Sequence, residues 1–374
     1  MQGKILTLTK RIRTTPFSTR IEKEVKGLTV YNHMILPTVF FSLEEDYQHL
    51  KTEVQVWDVS VQRQVEIRGK DARKLLEKLT PRSLENINPS KCLYIPMVNK
   101  SGGMINDPVI LKLDDERYWI SIADSDVLLW VSGVASALNL DVSVSEPEVF
   151  PLAIQGPKSK KLMETVFGSE IETLKYFDVK KFNYGKYQLN IARTGWSKQG
   201  GFEVYVEGRD YAVNLWDELM LNGKDLNVRP GCPNQIERIE SGLLSYGSDM
   251  TIESDPFESG LERYIDLDKQ AEYMSREALH RISEIGSQKR LVNLMIEGEP
   301  LPGMRSVWPV ISNEGSNVGM VTSQAFSPRL NSCIAFAIIE SSYAEVGGTV
   351  SINAESDIRS AQICDLSWNG RLKK

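Results

Sequence analysis

Few residues in this chain carry recognisable chemistry. Cys92, Cys232, Cys333 and Cys364 are widely spaced and form no CxxC pair. A zinc ribbon or dithiol redox motif is therefore unsupported, and buried, reduced thiols of a cytosolic protein are expected. His33, His49 and His280 stand alone without HExxH, a poor basis for a metal site, so each reads as structural and no metal is expected. GxGxxG, P-loop and GxSxG motifs are all absent, which removes the carriers of dinucleotide, nucleotide-phosphate and α/β-hydrolase chemistry. Trp196 and Lys198 lie in a Gly-flanked loop, TGWSKQGG, between two strand-like runs, where site residues tend to sit. Glu203 and Tyr205 follow two residues apart on the run FEVYV, so both point to one face. Loop packing and ordinary strand core are the plain alternatives. Asp107 precedes Pro108, as a turn aspartate or as a site acid. Paired acids carry no weight alone in a chain with 50 of them.

The elements that hold these residues follow from periodicity. Residues 61–68 (VQRQVEIR) alternate apolar and polar as a half-buried strand, and Gly69 leads into the helix DARKLLEKL. Further on, Ile154-Gln155-Gly156 leads into PKSKKLMETVFG with its apolar residues at the same offsets. Aligning Gly69 with Gly156 pairs Ile67/Ile154, Lys74/Lys161, Leu75/Leu162, Leu76/Met163 and Glu77/Glu164, a weak internal repeat suggesting two α+β units of similar build. Residues 187–193 and 202–206 read as strands and 210–222 as a helix. Short strand-like runs at 290–296, 307–311, 318–322, 333–339 and 349–352 predict a small all-β barrel or sandwich.

Length and charge bound the rest. At 374 residues the chain has room for two to three domains. Lys+Arg 44 against Asp+Glu 50 gives a net charge of −6, which argues against a nucleic-acid partner. No apolar run is long enough to span a membrane. The N-terminus, MQGKILTLTKRIRTTPFSTR, is basic, as in a frayed arm or a transit peptide; the frayed arm is the expectation.

Several motifs go further. VWDVSVQRQVEIRGKDARKLLEKL, Tyr94, GGMINDPVI (102–110), RTGWSKQGGFEVYV (193–206), RIESGLLSYGSDM (238–250), DPFESGL (255–261) and VTSQAFSPRLNSCIAFAII (321–339) occur in order along nearly the whole chain. Together they resemble the aminomethyltransferase, or glycine cleavage T-protein, family. The resemblance implies an α+β fold: a three-domain, folate-binding T-protein-like ring with a C-terminal all-β barrel domain. Its expected boundaries are 1–50 for the first part of domain 1, 51–148 for an inserted α+β domain 2, 149–284 for the remainder of domain 1, and 285–374 for the barrel.

Departures from the family pattern point to the substrate. Val61 stands in place of the histidine of "DVSH", Asn106 in place of the first acid of the "DD" pair, Gln199 in place of the acid of "TGED", and Trp196 in place of its tyrosine. With RIRTTPFSTRIE, INDPVILKL and SIADSDVLLW, they resemble the dimethylsulfoniopropionate demethylases. That resemblance implies a cytoplasmic methyltransferase moving one sulfonium methyl to N5 of tetrahydrofolate, giving 3-methylthiopropionate and 5-methyltetrahydrofolate. A sulfonium is an activated donor whose leaving group is a neutral thioether, so alignment in a dry pocket is the main requirement. Aromatic faces would hold the cation, Trp196 first and Tyr205 second; Lys198 or Arg193 would meet the carboxylate.

By the same resemblance Asp107 is the catalytic acid beside the folate, and Tyr94, Glu203 and Arg238 join it in binding that co-substrate. Arg238 would meet the folate tail or pair with Glu240 or Glu258. Tyr246 and Gly247 read as framework. The other readings are a folate-dependent aminomethyltransferase or methylamine demethylase, and a non-catalytic folate-binding protein, whose "KGCYxGQE" motif is absent. The partner is a small molecule, with no nucleic acid and no membrane, and the reading leaves room for a homodimer.

Overall fold

The computed structural model describes residues 9–355 and 357–365. The chain divides into two compact units: residues up to Gln64 with Glu146–Asn234, and Val65–Ser145 with the chain from Gln235 onward.

The first unit is built on a six-stranded sheet, ordered Val179–Tyr184, Tyr187–Ala192, Gly201–Glu207, Val149–Gln155, Gln55–Asp58, Arg229–Gly231. Only the last pair is parallel. Alternation gives the sheet two distinct faces. Leu152, Ile154, Ile191, Phe202, Val204 and Val206 face the helices Ser159–Phe167 and Ala212–Asn222, whose Leu162, Met163, Leu215 and Leu219 complete the core. Glu203 and Tyr205 project from the opposite face, level with Ala153 and Pro151 of the neighbouring strand, and both are buried.

The second unit contains a five-stranded sheet ordered Cys92–Tyr94, Val109–Lys112, Arg117–Ser121, Gln64–Arg68, Ser143–Ser145. Ala72–Leu79 and Val127–Ala137 pack on it through Leu75, Leu76, Leu79, Val127 and Val131. Its C-terminal part is a closed barrel of Lys289–Ile296, Ser332–Glu340, Asn317–Ser327, Trp308–Ile311, Thr349–Ala354 and Asp357–Cys364. The last strand was not expected from the sequence: its apolar residues do not follow its burial, since Ile358 is exposed while Asp357 and Arg359 are half-buried.

The two sheets repeat one plan. In each, the strand before the first helix lies fourth, and the three strands after that helix fill positions one to three from the edge. The turn into the helix is the same in both. Gly69 donates to Glu116 O at 2.9 Å and Gly156 to Gly200 O at 3.0 Å. Asp71 donates to Asp141 O and Lys158 to Glu53 O, both at 3.4 Å. Each glycine has positive φ, +138° and +114°, and a Cβ would stand 2.4 Å from Asp141 O or 2.3 Å from Glu53 O. The internal repeat read from the sequence is thus present as a duplicated strand–turn–helix unit.

Two observations bear on the expected organisation. The second compact unit takes up the chain from Val65 to Ser145, whereas the expected insertion runs over 51–148, and Gln55–Asp58 is a central strand of the first unit's sheet. That strand is buried at every position, so no alternation marks it. Residues from Gln235 onward pack with the second unit, not with the remainder of the first. The first eight residues of the basic N-terminal segment lie outside the described residues. From Arg13 it is not frayed: Arg13 N–H donates to His33 O at 2.8 Å, Thr15 Oγ1 donates to Asp58 at 2.5 Å, and Phe17 is buried.

Replacing Gly156 with alanine should cost about 1–3 kcal/mol, because it forces a side chain into positive φ against a fixed carbonyl. Differential scanning calorimetry should show a lowered transition; an unchanged one would contradict this packing.

Candidate functional site

Asp107 follows the short strand Met104–Asn106, and Tyr94 ends the strand Cys92–Tyr94, where it faces Val109 across the sheet. This register brings the Tyr94 hydroxyl to Asp107 Oδ2, donating at 3.0 Å. Asp107 Oδ1 is buried and has no hydrogen-bond partner among the described residues. Burial pushes the carboxyl up to about 7; the Tyr94 hydrogen bond pulls the other way, and the Asp249 charge adds a small upward push. Burial, then Asp107 itself, holds the Tyr94 phenol well above its ordinary range. The Tyr264 ring meets Tyr94 edge-on at 4.9 Å, and Arg82 lies over Tyr264 while binding the Tyr94 carbonyl. Tyr246 donates to Met104 O at 3.1 Å. An acid near half-protonation at neutral pH, walled by phenols, can accept a hydrogen bond or exchange a proton at one defined oxygen.

The residues around it are framework. Asn106 donates to Ala123 O and Ser125 Oγ and accepts from Ala123 N–H, so its amide ties two segments of the second unit together. Arg238 pairs with Asp249 at 2.7 Å, donates to Gln235 and Ser323, and is buried. Asp249 is thus a partner of Arg238 that the sequence reading did not name beside the folate tail, Glu240 and Glu258. Glu240 instead accepts from Ser327 Oγ.

In the first unit, Glu203 accepts from Thr194 Oγ1, and the phenol of Tyr205 also favours its ionised form. Burial is the larger effect and raises its pKa. Tyr205 is fully buried, so it backs Glu203 and does not present an open ring. Trp196 is half-buried in the loop between the two strands, and Lys198 beside it is exposed. Arg193 is half-buried, and its guanidinium donates to Leu174 O at 2.8 Å. The sequence reading did not single out Gln155, whose buried amide lies inside the loop, or Asp249 and Tyr264. Nothing in their local sequence distinguishes them from ordinary core and turn residues.

Comparison with known proteins bears on this arrangement. Residues 19–269 match the GCVT N-terminal domain, and residues 289–368 the glycine cleavage T-protein C-terminal barrel domain. The chain belongs to the glycine cleavage T-protein family. Within it, the chain is 43% identical over 360 residues to the dimethylsulfoniopropionate demethylase of Ruegeria pomeroyi, covering 96% of this chain and 98% of that protein. Against the aminomethyltransferase of Bacillus pumilus, identity is 30% over 348 residues, covering 90% and 93%. The crystal structure of the glycine cleavage system aminomethyltransferase T from Bartonella henselae superposes with a TM-score of 0.86 at 19% identity, covering 96% and 98%, which establishes a shared fold. The T-protein fold is therefore present here with the acid-poor loop and Asn106 that set this chain apart from the family pattern. Among the described residues no helix is long and apolar enough to cross a membrane, and no group of His, Cys, Asp and Glu is placed to hold a metal ion.

Asp107 makes stability depend on pH. Between about pH 4, where a free aspartate ionises, and about 7, the unfolded chain has released this proton while the folded chain still holds it. Its contribution therefore declines as pH rises through that window. Asp107→Asn should gain in melting temperature relative to the parent from pH 4 to 8; parallel curves would contradict the raised pKa.

Proposed function

We propose that this protein moves one methyl group from the sulfonium of dimethylsulfoniopropionate to N5 of tetrahydrofolate, releasing 3-methylthiopropionate and 5-methyltetrahydrofolate. The observation that carries this reading is the 43% identity sustained over 96% of the chain to a dimethylsulfoniopropionate demethylase.

The buried polar atoms suit a reduced pterin. Asp107 Oδ1 is an orphaned acceptor, and an N–H of that ring would satisfy it. Glu203, buried and with its pKa raised by that burial, suits the amino-pyrimidinone edge. The co-substrate supplies the N5 lone pair that accepts the methyl group. Asp107 then takes up at Oδ1 the proton that N5 must lose, which a carboxyl with a pKa of about 7 can do at neutral pH. Tyr94 fixes the other oxygen, so the proton-accepting atom is defined. Arg238, spent on Asp249, acts as a positioning residue.

The donor needs no activation, only alignment in a dry pocket, which supplies up to about 7–11 kcal/mol. Trp196 offers the face for the sulfonium, worth about 0.5–2 kcal/mol, with Lys198 near enough in sequence to meet the propionate. A carboxylate here would bind the cation in the ground state as tightly as in the transition state and add nothing to turnover. Gln199, standing in this loop where the family has an acid, agrees with that. We place the enzyme in the cytoplasm, acting on small molecules, with a homodimer as the assembly to test by light scattering.

Incubation with tetrahydrofolate and dimethylsulfoniopropionate under anaerobic conditions should form 5-methyltetrahydrofolate and 3-methylthiopropionate in equal amounts. Formation of 5,10-methylenetetrahydrofolate from an aminomethyl donor would mark an aminomethyltransferase instead, and binding without turnover a folate-binding protein. Trp196→Ala should raise KM for the sulfonium about 10-fold and spare folate affinity. Asp107→Ala should lower kcat about 100-fold or more; wild-type rate and folate affinity would remove Asp107 from the site.

A further inference from the structure

The two copies of the duplicated unit differ in one connection. In the second unit, the strands Val109–Lys112 and Arg117–Ser121 are joined by a tight turn over 113–116, closed by Leu113 N–H on Arg117 O at 3.0 Å. In the first unit, the matching strands Tyr187–Ala192 and Gly201–Glu207 are joined by 193–200, the loop that carries Trp196 and Lys198. Both connections end at a matched point: the carbonyl of Glu116 accepts from Gly69, and that of Gly200 from Gly156. The extra residues therefore lie ahead of it.

One residue before each glycine, the copies also differ. Where the turn is tight the residue is Arg68, an exposed side chain 3.9 Å from Glu66. Where the loop is long it is Gln155, which has no solvent exposure. The amide of Gln155 accepts from Ser197 Oγ at 2.8 Å and donates to Thr194 O at 3.3 Å. It also lies against both Gly195 and Gly201: a Cβ on either would stand 2.1 or 2.3 Å from the amide nitrogen. The loop is wound on this side chain, and Trp196 sits between two residues that meet it, Gly195 and Ser197.

We infer that Gln155 is a positioning residue that presents Trp196 to the sulfonium substrate. The inference rests on the reading of Trp196 given above. Losing Gln155 lets the loop relax, so the penalty falls on sulfonium binding, while proton transfer at Asp107 and folate binding are untouched.

The test is steady-state kinetics with dimethylsulfoniopropionate varied at saturating tetrahydrofolate, together with folate Kd by calorimetry, on Gln155→Leu, Ser197→Ala, Trp196→Ala and the Gln155→Leu/Trp196→Ala pair. Gln155→Leu should raise KM about 10-fold, and Ser197→Ala about 3-fold, the scale of one or two lost hydrogen bonds. The kcat and folate Kd should stay within about 2-fold, and Trp196→Ala should add little on top of Gln155→Leu, because both remove the same contact. An unchanged KM in folded Gln155→Leu, or a joint fall in kcat and folate affinity, overturns the inference. Should Gln155→Leu fail to fold, Ser197→Ala decides, and an unchanged KM there overturns it. If Trp196→Ala alone leaves KM at the wild-type value, it is the sulfonium reading of Trp196 that fails. If Trp196→Ala raises KM and Gln155→Leu does not, the failure belongs to Gln155.

Discussion

The structure turns on how carboxyl groups are buried. A carboxylate taken out of water needs a cation, a set of hydrogen-bond donors or a proton. Asp249 receives Arg238, the Ser245 N–H and the hydroxyls of Thr322 and Ser323. Glu77 receives Lys269 at 2.6 Å. Asp58 receives the hydroxyls of Thr15 and Ser60, yet burial still raises its pKa. Asp107 and Glu203 are treated differently. Neither has an ion-pair partner among the described residues, burial raises both, and Asp107 keeps one oxygen without a hydrogen-bond partner while Glu203 has the hydroxyls of Thr194 and Tyr205. Among these carboxyls Asp107 alone has a buried oxygen left without a donor among the described residues.

That division suits the transfer of a methyl group from a cation to a neutral amine. Positive charge moves from sulfur towards nitrogen, and a fixed anion near the sulfur would favour the starting complex. Aromatic faces attract the cation more weakly and without a localised counter-charge. With a pKa of about 7, the ionised form of Asp107 is present at neutral pH and is the form that can take up a proton after transfer.

The duplication shows where the two copies of one plan part company. Both copies share strand order, helix placement and the strained glycine turn. These features build a core, and they recur because each copy must bury one face of a sheet under two helices. The copies diverge at a connection, which can lengthen without disturbing that core. A longer loop needs internal support, and a buried amide with one donor and one acceptor direction satisfies two loop groups at once.

Much of this was legible in the residues alone. Periodicity located the helices after Gly69 and Gly156, the strands around the TGWSKQGG loop, five of the six barrel strands, and the repeat itself, because alternation and helical spacing are local properties. Ordered motifs identified the family. Other features were decided only in three dimensions. The strand Gln55–Asp58 carries no alternation because both its faces are buried, so only its pairing reveals its membership of the first sheet. Asp249 claims Arg238, Leu174 claims Arg193, and Glu203 shares Tyr205, pairings between residues far apart in sequence or hidden within one strand. Sequence records which groups are present, and local patterning records which face they take. Whether a buried group keeps its charge, its proton or a free lone pair depends on desolvation and on the atoms around it, and those are set when the chain packs.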